Sequence, residues 1–300
     1  MDKIVTKICT EYPGVCDWTP MHESHTTYCK YLPAGVCEWV NNVPTAPIPP
    51  LTHVLLLSAV YLALVLGGRA LMKSHEGRKL PRLLCVHNAI LCVFSAACSL
   101  GMIFVYFFNT PYHGVNATLC DNKNALFEGF NSWVLFFFLF SKAWEFIDTA
   151  FLVIRKSRLR FLHVYHHVIT FPLSWFLFID ASPNGTICAF ANMLVHTLMY
   201  YYYAINALGY TVWWKKYITQ MQITQFVLCI LTMAYDGLVL RPATSTICTE
   251  HKPYRYHSME VSIAIYFTFL ALFIKLYINT YNDKKAKSKP ADKPKQEKSE

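Results

Sequence analysis

Residues 51–68 read LTHVLLLSAVYLALVLGG and contain no Asp, Glu, Lys or Arg. A helix crosses the hydrocarbon core of a bilayer with about 20 mostly apolar residues. Six further apolar runs follow, so the sequence predicts seven membrane-spanning helices. The runs are residues 51–68, 83–108, 133–154, 161–179, 187–208, 217–235 and 261–281.

The composition agrees with a membrane protein. Of the 300 residues, 54% are hydrophobic and 15% are charged, against about 25% charged in soluble domains. We therefore predict an all-α polytopic protein with the lipid bilayer as its surroundings and no nucleic-acid partner. Residues 1–50 form an N-terminal segment, residues 51–281 the membrane domain, and residues 282–300 a Lys-rich tail that is expected to be disordered because it lacks large apolar side chains.

Basic residues predict the orientation. Lys and Arg concentrate in the first, third and fifth loops and in the tail, and only the sixth loop is mixed. Such loops face the cytosol, so the C-terminus is cytosolic and the N-terminus lumenal. The glycosylation sequons at Asn116 and Asn184 fall in predicted lumenal loops. Cys120 and Cys248 do too, where the redox poise permits a disulfide; two free thiols are the alternative.

Ionisable side chains inside the predicted spans form a first cluster at Lys142, Glu145, Asp148 and Thr149. Spacings of three, three and one put them on one helix face. Charges in the hydrocarbon are costly and point to function. A buried ion-pair network that only fixes helix packing is the alternative.

The second cluster is His163, His166 and His167, again on one face of a helix. Three imidazoles in one span indicate either metal ligation or acid/base and nucleophilic catalysis.

Two more spans carry polar stripes. Asn192, His196, Tyr200 and Tyr203 repeat at helical spacing, and Gln222 and Gln225 lie one turn apart. Interhelical hydrogen bonding is the alternative for the two glutamines. All four polar faces are hidden from lipid if they point at one shared interior cavity.

At these residues the chain resembles the ELO family of fatty-acid elongases. Residues 142–149 match Lys-x-x-Glu-x-x-Asp-Thr, 163–167 the histidine box, 196–203 His-x-x-Met-Tyr-x-Tyr-Tyr, and 219–225 Thr-x-x-Gln-x-x-Gln. The resemblance implies six of seven helices ringing an acyl tunnel and residence in the endoplasmic-reticulum membrane. It also implies an elongation cycle shared with a ketoacyl-CoA reductase, a dehydratase and an enoyl reductase. A homodimer is left open.

The implied reaction is a decarboxylating Claisen condensation of long-chain acyl-CoA with malonyl-CoA, with no cofactor and no metal. The resemblance assigns the nucleophile to His166, because a neutral imidazole can attack a thioester and hold the acyl group. His163 and His167 orient it or move protons, and His196 with Asn192 binds the malonyl carboxylate or stabilises the enolate.

The remaining candidates contact the substrates. Those inside the membrane are Lys142, Glu145, Asp148, Tyr200, Tyr203, Gln222 and Gln225; those for the CoA phosphates are Arg155, Lys156, Arg158, Lys215 and Lys216. For these cations, the positive-inside rule alone is the alternative explanation.

Two other function classes compete. A membrane di-iron desaturase or hydroxylase needs several histidine boxes, whereas outside the one box the membrane domain offers mainly His53, His87 and His196. A non-enzymatic lipid transporter also has buried charges in its spans.

Overall fold

The computed structural model describes residues 49–120, 129–179, 183–240 and 255–287, and the regular structure in these ranges is helical. The predicted all-α class is thus confirmed for this part of the chain. The helices are α1 Leu51–Leu71, α2 Pro81–Cys120, α3 Gly129–Trp144, α4 Phe146–Ile154, α5 Phe161–Ile179, α6 Pro183–Ala207, α7 Lys215–Tyr235 and α8 Arg255–Lys287. A 3₁₀ turn at Met72–Ser74 follows α1, and a π-helical turn at Asp236–Leu240 follows α7.

Within the described ranges, five helices are long and apolar enough to cross a membrane, which makes the chain a multi-pass membrane protein. They are Leu51–Ser74, Pro81–Ile103, Phe161–Ile179, Lys215–Leu240 and Met259–Tyr281. Large apolar side chains on their outer faces are exposed, among them Leu64, Val93 and Phe267. Such a continuous apolar surface suits lipid and not water.

The other two predicted spans are also helical, but neither forms one helix that is both long and apolar enough to cross a membrane. The run at 133–154 is divided at Glu145 into α3 and α4, which have 16 and 9 residues. The run at 187–208 lies in α6, which has 25 residues but carries Asn192 and His196 among its polar side chains. Both runs fall short because they hold much of the polar site described below.

Two of the three apolar clusters among the described residues join the helices that bear the polar faces. One joins Met102 of α2, Leu139 of α3, Phe171 of α5 and Met193 of α6. The other joins α5, α6, α7 and α8 through residues that include Leu173, Cys188, Phe226 and Phe269. The helices that bear the four polar clusters therefore pack against one another.

The structure corrects the expectation for Asn184, which was predicted to lie in a lumenal loop. Asn184 is in the first turn of α6 and only 1% exposed. Its Nδ2 donates to Oδ2 of Asp236 at 2.8 Å. A glycan has no access to an amide buried in this way.

Other predicted loop features stay predictions. The backbone of α2 continues through Cys120, so the stretch that holds Asn116 is helical instead of loop. The Asn116 and Cys120 side chains, all of Cys248, the segment before residue 49 and the tail after residue 287 lie outside what the structure describes. Residues 282–287, which were predicted to begin the disordered tail, instead continue the backbone of α8.

Candidate active site

The break between α3 and α4 places a buried ion pair at the centre of the protein. Lys142 Nζ donates to Glu145 Oε1 at 2.6 Å, and both side chains are about as buried as a side chain can be, at 2% exposure. Lys142 Nζ also donates to Oδ1 of Asn192 on α6 at 2.9 Å. A buried charge is tolerated when it is paired and hydrogen-bonded in this way.

A closed ring of hydrogen bonds fixes the state of His196. Because the Asn192 oxygen faces Lys142, its Nδ2 faces His196 Nε2, at 3.2 Å, and donates to it. The other ring nitrogen of His196, Nδ1, lies 3.4 Å from Glu145 Oε1. A ring nitrogen that accepts a hydrogen leaves the proton of a neutral imidazole on the other nitrogen. His196 is therefore a neutral Nδ1–H tautomer that donates to Glu145.

Asp148 is held by two donors from other helices. Tyr200 of α6 donates its hydroxyl to Oδ2 at 2.8 Å. His87 Nε2 of α2 lies 2.7 Å from Oδ1. From the sequence, His87 was only a histidine outside the histidine box, because its partner is 61 residues away in the chain.

The histidine box is connected to α1 as well as α4. Tyr61 Oη lies 2.8 Å from Thr149 Oγ1, which lies 2.9 Å from His163 Nε2. The rings of His163 and His167 are 4.5 Å apart between centroids. Tyr61, on a largely lipid-facing helix, is the second site residue that sequence reasoning missed, because its apolar surroundings carry no local signal.

His166 differs from its two neighbours. Its ring packs near His167 at 5.5 Å and near Phe269 of α8 at 5.1 Å. Among the residues that the structure describes, neither of its ring nitrogens has a hydrogen-bond partner. The His167 ring also has no hydrogen-bond partner among these residues, but it packs against Tyr61 and Phe146, whereas the His166 ring packs against α8.

The predicted residues surround one cavity of about 530 Å³, which we name the polar chamber. Arg155, Arg158, Arg160 and Lys215 line it and form what we call its basic rim. Within the membrane domain it is lined by Glu145, Asp148, His163, His166, His167, Asn192, His196, Tyr200, Tyr203, Gln222 and Gln225.

Three predicted contacts do not line the polar chamber. Lys142 lies behind it, bound to Glu145 and Asn192. Lys156 reaches backbone carbonyls of the segment between α1 and α2, and Lys216 lies over the ring of Tyr217. Arg160, which the sequence reasoning had not selected, takes a place on the basic rim.

A second, narrow cavity of about 40 Å³ continues from the first, and we name it the apolar channel. The two share His166, Asn192, Gln225 and Phe226. The other walls of the channel are mainly apolar or small and come from α3, α5, α6 and α8: Leu135, Phe138, Thr170, Leu173, Ser174, Leu177, Phe178, Gly185, Thr186, Cys188, Ala189, Tyr266 and Phe269. His166 therefore lies where a polar space meets an apolar one.

Metal ligation, the other reading of the histidine box, has no supporting cluster. Among the described residues, no group of three or more His, Cys, Asp or Glu side chains is arranged to hold a metal ion. His163 instead contacts Thr149, and His196 contacts Asn192 and Glu145.

Fold and site together define a multi-pass helical membrane protein with a histidine-lined chamber enclosed by its spans. The chain belongs to the ELO (GNS1/SUR4) family, whose model matches residues 48–289. It is 32% identical to human very long chain fatty acid elongase 6 over 243 residues, which are 79% of this chain and 87% of that protein. It is 31% identical to fatty acid elongase A of Dictyostelium discoideum over 251 residues, 82% of this chain and 89% of that protein. The resemblance carried by the four motifs is confirmed.

Proposed function

We propose that this protein is the condensing enzyme of fatty-acid elongation, joining a long-chain acyl-CoA to malonyl-CoA to give a 3-oxoacyl-CoA two carbons longer. The observation that carries the proposal is the unpartnered imidazole of His166 at the junction of the polar chamber and the apolar channel. A nucleophile for a fatty thioester needs this position, because the acyl chain is apolar and the CoA is not. The family membership and the names of the relatives support a role in fatty-acid elongation, to which this reaction belongs.

The acyl chain would enter the apolar channel, whose volume of about 40 Å³ has to widen to hold it. Eleven residues of α5 separate His166 from Leu177, which also lines the channel; this is about 17 Å along a helix. The wall is mainly hydrocarbon and aromatic, so it excludes water from the acyl chain. In this arrangement the carboxyl carbon stops at His166 and the methyl end lies near the start of α6.

The first half of the reaction loads the enzyme. A ring nitrogen of His166 attacks the thioester carbon, the carbon–sulfur bond breaks, and the acyl group stays on the imidazole. The N–H proton of His166 ends on the CoA sulfur, with His167 near enough to relay it. CoA leaves as the free thiol.

The second half forms the carbon–carbon bond. Malonyl-CoA loses carbon dioxide, and the electron pair of the broken bond forms an enolate. Asn192 Nδ2 can donate a hydrogen bond to the enolate oxygen. The enolate oxygen then takes the place of His196 Nε2, which accepts from Asn192 in the structure. The enolate carbon attacks the acyl carbon, the bond to His166 breaks, and the imidazole takes up a proton from water, because the overall reaction consumes one proton.

The basic rim would bind the CoA phosphates. Arg155, Arg158 and Lys215 were expected to do so and line the polar chamber, as does Arg160. A guanidinium offers paired donors to phosphate oxygens. Tyr203, Gln222 and Gln225 line the path from this rim to His166 and would contact the pantetheine arm.

The proposal includes a topology and a setting. We propose seven spans, in which α3 and α4 together make one and α6 another, with six of them around the acyl tunnel. The N-terminus is lumenal and the C-terminus cytosolic, in the endoplasmic-reticulum membrane. The product passes to a ketoacyl-CoA reductase, then to a dehydratase and an enoyl reductase.

The decisive test measures acyl transfer to one side chain. Purified protein is incubated with a long-chain acyl-CoA, and peptides containing His166 are examined by mass spectrometry for the mass of the acyl group. Labelled malonyl-CoA is then added, and carbon dioxide release and the longer product are measured.

His166→Ala should abolish both the acyl adduct and the longer product. Alanine offers no nucleophile, and water cannot take the place of the histidine in this step. The matched control is His53→Ala, because His53 is an exposed histidine of α1 that lies outside both cavities. If His166→Ala still makes the longer product at the rate of the parent, the proposal is wrong.

A further inference from the structure

The end of α4 has an unusual residue in a common motif. Ser157 N donates to Leu152 O at 2.9 Å and Lys156 N donates to Val153 O at 3.0 Å. These two bonds close a helix C-terminus of the Schellman type, in which the residue at the position of Lys156 takes a left-handed backbone and is usually glycine. Lys156 takes that conformation, with φ 51°, although its Cβ makes it unfavourable. The chain retains a strained lysine where glycine fits better.

The lysine side chain makes contacts that glycine cannot make. Its Nζ donates to the backbone oxygen of His75 at 2.9 Å and approaches that of Lys73 at 3.4 Å. Both carbonyls belong to the segment between α1 and α2. Lys156 therefore ties this segment to the turn that follows α4.

Two further contacts join the same pieces. Arg78 N donates to the oxygen of Ile154 at 3.1 Å, which satisfies one of the free carbonyls at the end of α4. Gly77 packs so closely that a Cβ there would lie 2.8 Å from the oxygen of Arg155. We name these three contacts, of Lys156, Arg78 and Gly77, the loop clasp.

The clasped turn carries two of the four residues of the basic rim. Arg155 and Arg158 flank Lys156 and Ser157 and line the polar chamber, while the Lys156 ammonium points to the clasp. All three cations are exposed, so packing against a core does not set the backbone that bears them. The two hydrogen bonds at the end of α4 and the loop clasp hold this turn instead.

We propose that Lys156 and Gly77 are positioning residues, which hold Arg155 and Arg158 at the places where they bind the phosphates of a CoA substrate. Lys156 acts through the loop clasp and does not touch CoA. The inference rests on the proposed function, since it takes the basic rim as the CoA-phosphate site.

The test compares a substrate that has the CoA nucleotide and its phosphates with one that lacks them. KM and kcat are measured for malonyl-CoA and for malonyl-pantetheine, which lacks the nucleotide and its phosphates. Lys156→Gly keeps the left-handed turn, because glycine favours it, and removes the whole side chain with its ammonium. Gly77→Ala pushes the segment off Arg155. Gly67→Ala is the matched control, because a Cβ there meets nothing within 4 Å. Arg158→Gln removes a rim cation directly.

Lys156→Gly and Gly77→Ala should raise KM for malonyl-CoA roughly fivefold with kcat unchanged, the pattern of lost uniform binding. KM for malonyl-pantetheine should not move, and Gly67→Ala should match the parent for both substrates. Arg158→Gln should show the same selective rise.

Two results overturn the inference. If Arg158→Gln raises KM for malonyl-CoA alone while Lys156→Gly does not, the rim binds phosphate without help from the loop clasp. If Lys156→Gly weakens both substrates equally or lowers kcat, its role is general to the fold. If neither Arg158→Gln nor Arg155→Gln raises KM for malonyl-CoA selectively, the CoA site of the proposed function itself is wrong.

Discussion

Replacing Lys142 by methionine should strongly destabilise the protein. The change removes the ammonium 2.6 Å from Glu145 and leaves that carboxylate, 2% exposed, with only the His196 Nδ1 at 3.4 Å. Removing one partner of a buried ion pair costs about 3–5 kcal/mol of folding free energy, because the other charge stays buried without compensation. Asn192 also loses the donor that orients its amide.

The size of the loss in folding free energy distinguishes a buried ion pair from an exposed charge. In the double variant Lys142→Met/Glu145→Gln both charges are gone, and the glutamine oxygen can still accept from His196. The double variant should therefore recover more than half of the lost free energy. Glu76→Gln, which removes an exposed carboxylate between α1 and α2, should change the free energy by less than about 0.5 kcal/mol.

The assay is reversible unfolding in mixed detergent micelles, followed by tryptophan fluorescence, for the parent, both single variants and the double variant. Near-additive losses in the double variant, or a loss below about 1 kcal/mol for Lys142→Met, would mean that the pair is solvated and that the ring through Asn192 and His196 does not exist as described.

Three further predictions test other parts of the site. His87→Phe removes the donor to Asp148 Oδ1 and should lower kcat for elongation about tenfold without loss of folded protein; activity equal to the parent would show that Asp148 does not need this contact. Asn184→Ala should leave the glycan mass that glycosidase removes unchanged, because Asn184 is buried; a glycan lost with the variant would contradict the burial. The same variant should lower the free energy of unfolding by about 1–3 kcal/mol, because it removes the amide that donates to Asp236. Ala189→Leu adds bulk to the wall of the apolar channel and should shift the accepted acyl-CoA toward shorter chains in a competition assay; an unchanged chain-length profile would place the acyl group elsewhere.

Local pattern was enough to predict which residues share a face. The spacing of His163, His166 and His167, and that of Asn192, His196 and Tyr200, follows from the 3.6-residue turn of a helix. Residues three or four apart lie together whatever the rest of the chain does. The same rule placed Lys142 beside Glu145, which the structure joins at 2.6 Å.

Contacts between distant residues left no such pattern. His87 meets Asp148 across 61 residues and Tyr61 meets Thr149 across 88. Each lies in an apolar helix whose own sequence predicts only a span. Only the packing of α2 and α1 against the helices of the site decides that these two side chains belong to it.

The sequence by itself determined the apolar helices, the family and the composition of the polar faces, because hydrophobicity and helical spacing act over a few residues. Only the tertiary structure decided which of several residues of the same type are buried and which of them line the polar chamber. Asn184 carries a sequon but is buried. Of three neighbouring cations, Lys156 contacts the segment between α1 and α2, while Arg155 and Arg158 line the polar chamber. The reason is physical: burial and direction depend on the backbone path and on helices far away in the chain, and a single reversal of φ at Lys156 sends its side chain away from its neighbours.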